Sequence, residues 1–225
     1  EAVHEINSWS DLRSRLEPED RRCFAFFHPL IPNEPLIFVE VALTDNIPDN
    51  INQVIKIDRN VTSQNDINTA VFYSISSCQD GLSGISFGNF LIKEVVHKLK
   101  RKNEGLEKFV TLSPLPGFVK WIKEKSLDEN MDDDEMLKHA IIYLVHSDRE
   151  DEFPNDPVAR FHLGNGARLE RINLNADMSL KGIYQSKGIM VNYQYQLDSL
   201  EKNHESFFKT KDVQYSGRIK SLIKK

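Results

Sequence analysis

The stretch of sequence that decides the fold is AVFYSIS (residues 70–76) followed by QDGLSGISFGN (residues 79–89). Branched and aromatic side chains in the first string predict a buried strand, and the second string is a glycine-containing loop. An apolar stripe at helical spacing then predicts a helix; it consists of Leu91, Val95, Val96 and Leu99. Residues 109–112 (FVTL) predict a returning strand. This order is a βαβ crossover, which predicts two parallel neighbouring strands.

Two more strands are predicted before the crossover. Residues 23–28 (CFAFFH) and 36–44 (LIFVEVALT) are rich in aromatic and branched side chains, and residues 29–35 between them contain three prolines. This pattern favours an antiparallel pair joined by a proline-containing turn. Further along, residues 136–145 predict a helix, and the acidic run DENMDDDE (residues 128–135) lacks the spacing of an EF-hand. We interpret that run as a solvated linker.

The composition is that of an ordinary globular protein. The 225 residues fit one domain, which we place over residues 1–225, with 40% hydrophobic and 28% charged residues. A net charge of −5 argues against nucleic acid as a partner, since nucleic-acid binding calls for a clustered basic excess. No apolar run approaches the 18 or more residues that a membrane-spanning helix needs.

The cysteines and the chain ends bear on the compartment. Cys23 and Cys78 form neither a disulfide framework nor a CxxC motif, so we expect a reducing environment. Because the sequence begins at Glu1 without a basic and apolar leader, we interpret it as a fragment or a processed form. Its last residues, LIKK, differ from the peroxisomal address SKL.

Three segments contain candidate functional residues. The glycine loop opens a helix, whose unpaired N–H groups favour a phosphate, although a turn without a ligand is the alternative. Ser113 follows a predicted strand and is flanked by a proline-rich turn; its alternative role is to cap a helix at residues 117–125. His162 lies beside a glycine turn, and a structural histidine is its alternative. The other histidines lack metal-ligand spacing, so we predict no metal.

Five strings in the chain, taken in order, closely resemble the malonyl-CoA decarboxylase family. They are FYSIS (residues 72–76), GLSG (81–84) continuing into GNFLIK (88–93), LSPLPGF (112–118), DPVARFHLGNGA (156–167) and NYQY (192–195). The resemblance extends from about residue 9 to about residue 195. Two of these strings, SPLPGF and FHLGNGA, are long and unusual, which makes their joint occurrence by chance very improbable.

The resemblance implies an α+β, GNAT-like fold (acyl-CoA N-acyltransferase-like), a mixed and mostly antiparallel sheet flanked by helices. It implies that the chain decarboxylates malonyl-CoA to acetyl-CoA and CO₂, with Ser113 and His162 as the catalytic pair and Tyr195 in support. We expect the reaction to form a thioester enolate that His162 protonates as the general acid, while Ser113 binds the malonyl carboxylate or relays a proton. The substrate-binding segment it implies consists of Ser83, Gly84, Ile85, Ser86, Phe87, Gly88 and Asn89. Where we expect the family to have a glutamate in that segment, this chain has Ser86, which puts the local hydrogen bonds in doubt.

The resemblance also implies a setting for the reaction. No cofactor is expected, because the thioester is itself the electron sink. The family acts inside the cell, in mitochondria, peroxisomes or cytoplasm, and the full-length protein is expected to form a homo-oligomer. We expect the chain to be the catalytic domain without the family's N-terminal helical domain. Two other functions stay open: a GNAT-type acyltransferase that transfers the acyl group to an amine, and a noncatalytic acyl-CoA-binding module.

Overall fold

The computed structural model describes residues 3–79, 81 and 88–223. The chain divides into two compact units, Glu1–Thr111 and Leu112–Lys225. Each unit has its own strands and helices, so each is described by itself. The single domain over residues 1–225 stays a prediction.

The first unit is built on three antiparallel strands and one parallel strand. Its elements are α1 (Trp9–Leu16), β1 (Arg21–His28), β2 (Ile31–Thr44), α2 (Asn52–Ile55), β3 (Thr69–Ser77), α3 (Gly88–Lys102) and β4 (Lys108–Thr111). β1 pairs with β2 and β2 pairs with β3, both antiparallel, while β3 and β4 are parallel. The predicted antiparallel pair is therefore confirmed.

The βαβ crossover is also confirmed. β3 leads through α3 into β4, and Val71 lies opposite Val110 in the parallel register. The predicted apolar stripe is the buried face of α3; its members Leu91, Val95, Val96 and Leu99 are at most 5% exposed. The helix ends in Lys100, Arg101 and Lys102, whose positive charge suits a helix C-terminus.

The turn between β1 and β2 is shorter than predicted. β2 already begins at Ile31, so the proline-rich segment at residues 31–35 belongs to the strand rather than to the turn. The pairing register shifts between Phe26 and Phe27 and again between Phe27 and His28. Proline has no N–H to give to a ladder, and such irregular positions are where strands tolerate it.

The second unit has a small antiparallel sheet and six helices within the part of the chain that the structure describes. Its elements are β5 (Ser113–Pro114), α4 (Phe118–Glu124), α5 (Asp133–Val145), α6 (Pro157–Gly164), β6 (Arg168–Asn173), α7 (Leu180–Ser186), β7 (Met190–Gln194), α8 (Leu200–Thr210) and α9 (Gly217–Ile223). β7 pairs with both β5 and β6. Strands and helices are thus combined in both units, and the α+β class is confirmed.

The acidic run is not wholly a linker, so this prediction was wrong for its second half. The Asp132 side chain accepts a hydrogen bond from the backbone N–H of Glu135 and caps α5. Asp133, Asp134 and Glu135 then form the first turn of that helix. Carboxylates are stabilised there by the unpaired N–H groups of the helix N-terminus, so a cluster of acids favours helix initiation.

A buried ion cluster joins the loops of the first unit. The Asp20 carboxylate lies 3.1 Å from the guanidinium of Arg21 and 3.1 Å from that of Arg59, and these three side chains are between 1% and 6% exposed. It also accepts a hydrogen bond from the backbone N–H of Thr62. Burial lowers the pKa of Arg21 to about 10, and the negative charge of Asp20 opposes that shift.

Asp20→Asn is expected to destabilise the protein by about 3–5 kcal/mol, because it leaves two buried guanidinium groups without a countercharge. The matched control is Glu17→Gln, which removes the ion pair with Arg13 whose side chains are 68% and 59% exposed. The control should cost much less, because an exposed ion pair contributes little to stability. Urea unfolding of both variants measures the difference, and equal effects would contradict the account.

Candidate active site

Three buried side chains of the second unit form a continuous hydrogen-bonded chain. Ser113 Oγ lies 3.1 Å from His162 Nε2, and His162 Nδ1 lies 2.7 Å from the hydroxyl of Tyr195. The three residues are 6%, 5% and 2% exposed, respectively. The structure thus brings together the three side chains that the sequence analysis named as catalytic; their catalytic role stays a prediction.

The strand register explains how Ser113 and Tyr195 reach the same place. Ser113 on β5 lies directly opposite Val191 on β7, so their side chains point to the same face of the sheet. Side chains alternate along a strand, and Tyr193 therefore shares that face with Val191. Tyr195 follows at the next alternate position, just beyond the end of β7. One face of one strand pair holds the serine and both tyrosines.

Helix α6 supplies His162 near its C-terminal end. The helix begins with a strong signal: the Asp156 side chain accepts from the backbone N–H of Ala159, and Pro157 occupies the first turn. It ends at Gly164, two residues after the histidine. The position of His162 therefore depends on both ends of one short helix.

A close backbone contact determines how α6 ends. Gly166 has φ +85°, and a Cβ at this position would lie 2.1 Å from the carbonyl oxygen of Leu200, so only glycine fits. The start of α8 then holds the turn: the Asn203 amide donates to the Gly166 carbonyl over 3.1 Å, and the His204 ring is hydrogen-bonded to the Gly164 carbonyl. The turn at Gly164–Gly166 therefore helps to position His162.

Burial makes the hydrogen-bonded chain electrically neutral. It lowers the pKa of His162 from its ordinary 6.5 to about 3 and raises the pKa of Tyr195 well above 10. A neutral imidazole has one N–H donor and one acceptor nitrogen. One of the two hydrogen bonds of His162 is therefore donated by the ring and the other is accepted by it.

Tyr193 is a member of the site to which the sequence analysis gave no role. Its ring stacks on the imidazole of His162, with ring centroids 4.9 Å apart and an interplanar angle of 28°. The side chain is fully buried. The string NYQY (residues 192–195) contains the information that could have identified Tyr193. Side chains two residues apart on a strand share one face, so assigning Tyr195 to the site also places Tyr193 there.

Most of the segment predicted to bind substrate, residues 83–89, is not described by the structure. Ser83, Gly84, Ile85, Ser86 and Phe87 lie outside the described residues. Gly88 and Asn89 are the first two residues of α3 in the first unit. The binding role of all seven residues, and the effect of Ser86, stay predictions.

Within residues 3–79, 81 and 88–223, no group of three or more His, Cys, Asp or Glu side chains is arranged to hold a metal ion. In the same part of the chain, every helix is too short or too polar to span a membrane.

Comparison with known proteins identifies the family. The family model for the malonyl-CoA decarboxylase C-terminal domain matches residues 1–139 and 129–225. The mitochondrial malonyl-CoA decarboxylase of Mus musculus is 35% identical over 99% of this chain and 55% of its own length. The chain therefore belongs to the malonyl-CoA decarboxylase family, as the resemblance predicted. It spans about half the length of the curated relatives that it matches.

Solved structures agree with this assignment and confirm the fold. The crystal structure of malonyl-CoA decarboxylase from Agrobacterium vitis has a TM-score of 0.90 at 48% identity, covering 98% of this chain and 61% of that one. The GphF GNAT-like decarboxylase has a TM-score of 0.56 at 18% identity, covering 84% and 85%. That second likeness concerns the fold alone, and it confirms the GNAT-like class.

The buried imidazole predicts a specific loss of stability in acid. Below about pH 6.5 an unfolded chain protonates His162, whereas the folded chain keeps it neutral until the pH approaches about 3. The contribution is thus fully present above pH 6.5 and falls by about 1.4 kcal/mol per pH unit below it. The stability advantage of the wild type over His162→Asn should therefore shrink as the pH is lowered.

Urea unfolding at several pH values between about 4.5 and 7.5 measures this difference. The matched control is His146→Asn, which makes the same substitution at an exposed histidine of the second unit. A stability difference between wild type and His162→Asn that stays constant over this range would show that His162 titrates normally in the folded protein.

Proposed function

We propose that this chain decarboxylates malonyl-CoA to acetyl-CoA and CO₂, and that the Ser113–His162–Tyr195 chain supplies the proton that replaces the lost carboxylate. Two observations support the proposal. The chain belongs to the malonyl-CoA decarboxylase family. Its three candidate catalytic side chains form one buried, continuous hydrogen-bonded chain, and this single observation is the one on which the mechanism rests.

Decarboxylation of a malonyl thioester requires the protein to do two things. Departure of CO₂ leaves an electron pair that spreads onto the thioester oxygen as an enolate. The thioester is the electron sink, so the proposal includes neither a metal nor an organic cofactor. The protein must stabilise the enolate oxygen, where each well-placed donor contributes about 3 kcal/mol, and it must then protonate carbon.

The hydrogen-bonded chain meets the second requirement in its neutral form. In our proposal the Tyr195 hydroxyl donates to Nδ1 of His162, and the Nε2–H donates to Ser113 Oγ. The Ser113 hydroxyl passes its proton to the enolate carbon and takes the Nε2 proton of His162 in return. His162 is thus the general acid, and Ser113 relays its proton. Solvent returns one proton in each turnover, so the reaction consumes one proton for each CO₂ released.

We assign substrate binding to the segment of residues 83–89, whose last two residues begin α3. The proposal is that Ser83, Gly84, Ile85, Ser86, Phe87, Gly88 and Asn89 contact malonyl-CoA. Two things support it: the family resemblance of this segment, and the start of α3 at Gly88. The first N–H groups of a helix lack partners within the helix and carry partial positive charge, which favours the pyrophosphate of CoA. The name of the mouse relative includes "mitochondrial", which supports a site of action inside the cell.

His162→Asn is expected to lower kcat for CO₂ release by about a hundred- to ten-thousand-fold, because it removes the general acid. Binding of CoA should change little, since the imidazole contributes after the substrate has bound. Rates of CO₂ release from malonyl-CoA and CoA titration by calorimetry measure the two effects.

The matched control is again His146→Asn, a histidine on the surface of the same unit. It should leave both kcat and CoA binding unchanged. Turnover of His162→Asn within a few-fold of the wild type would remove His162 from the mechanism. Tight CoA binding by a wild type that releases no CO₂ would instead favour the binding module, and acyl transfer to an added amine would favour the acyltransferase.

A further inference from the structure

Tyr143 on α5 is a buried residue outside the hydrogen-bonded chain, and it contacts the helix that positions His162. Its hydroxyl donates to Asp156 Oδ2 over 3.3 Å. Asp156 is fully buried and is the N-cap of α6. Burial raises the pKa of Tyr143, so the phenol keeps its proton and acts as the donor.

The same hydroxyl lies against the turn that follows Ser113. A Cβ built on Gly117 would be 2.5 Å from the Tyr143 oxygen, and the next nearest atom, Cζ of the same ring, would be 3.7 Å away. Gly117 is four residues beyond Ser113 and is the N-cap of α4. The intervening Leu115 is fully buried. One hydroxyl group therefore touches the Ser113 turn and the start of the His162 helix.

The surroundings hold the Tyr143 ring in place. It packs against Phe118 and Trp121, with ring centroids 5.4 and 5.3 Å away. Burial raises the pKa of Asp156 to about 6, because an ionised carboxylate is costly inside a protein. Hydrogen bonds donated to the carboxylate offset part of this cost. The N–H of Ala159 satisfies one oxygen, and Tyr143 satisfies the other.

We propose that Tyr143 is a positioning residue, which keeps Ser113 and His162 at hydrogen-bonding distance by contacting the backbone turn of the one and the N-cap of the other. The inference rests on the proposed function for its kinetic readout. It predicts an effect on kcat rather than on KM, because Tyr143 acts on the geometry of the pair and does not touch substrate. A displacement of about 1 Å at a reacting group costs up to a hundred-fold in rate.

A double-mutant cycle tests this contact. Gly117→Ala should push the Tyr143 hydroxyl away and lower kcat by about ten- to a hundred-fold with little change in KM. Tyr143→Phe should have a similar effect, because it removes the oxygen and its hydrogen bond to Asp156. The double variant should be no slower than Tyr143→Phe alone, since the atom that the new methyl group would strike is gone.

Two control variants in the second unit match these substitutions. Tyr184→Phe removes a hydroxyl from a side chain that is 80% exposed, and Gly217→Ala adds a Cβ where no atom lies within 4 Å. Both should leave kcat and KM unchanged. The positioning role is overturned if folded Tyr143→Phe and Gly117→Ala keep the wild-type kcat, or if the two effects simply multiply in the double variant.

A readout that needs no turnover separates this inference from the proposed function. The ¹⁵N chemical shifts of the His162 ring report its hydrogen bonds to Ser113 and Tyr195. We expect the Nε2 signal to change in both single variants, and Gly117→Ala to cause no further change in the Tyr143→Phe background. If the wild type releases no CO₂ yet these shifts behave as described, the proposed reaction is wrong and the positioning role holds. Unchanged shifts in the folded single variants would overturn the positioning role whatever the activity.

Discussion

Burial of a neutral imidazole is the constraint on which the second unit depends. His162 is 5% exposed, and the loss of water lowers its pKa to about 3. Each ring nitrogen then needs a hydrogen-bond partner inside the protein, because an unpaired buried polar group costs about 1–3 kcal/mol. Ser113 and Tyr195 are those partners, and they come from segments on either side of the helix in sequence. The geometry of β5, α6 and the end of β7 is therefore coupled through one ring.

Interactions at both ends of α6 hold the imidazole in position. A buried carboxylate at Asp156 begins the helix, and the left-handed Gly166 ends it against the Leu200 carbonyl. The strand pair β5–β7 then places Ser113 and Tyr195 on one face by alternation. Such a neutral chain suits the protonation of an enolate, which is basic enough to take a proton from a weak acid. It would serve poorly for chemistry that needs an imidazolium at neutral pH.

Much of the fold could be predicted from the sequence, because its signals are local. The helical spacing of the stripe on α3 and the branched residues of β3 led directly to the crossover. The two errors have local causes as well. Prolines entered β2 because the pairing there is irregular, and the acids at residues 132–135 favour a helix N-terminus as strongly as they favour solvent.

The site could not be predicted from residue types alone. Ser113 and His162 are 49 residues apart in sequence, and His162 and Tyr195 are 33 apart, distances that no periodicity encodes. On their own, Ser113 and His162 are better explained by structural roles, and only the family resemblance groups them with Tyr195. Tyr143 was out of reach for the same reason: its contact with Gly117 appears only when α5 packs against the Ser113 turn.

The most direct test of the account is the pH dependence of CO₂ release from malonyl-CoA by the purified chain, without any amine acceptor, between about pH 6.5 and 8.5. A neutral His162 predicts that kcat stays within about two-fold over this range, because a group with a pKa of about 3 does not titrate there. An imidazolium donor with an ordinary pKa would make kcat fall about ten-fold per pH unit above its pKa. That fall would contradict the neutral chain, and the absence of CO₂ at every pH would contradict the proposed reaction itself.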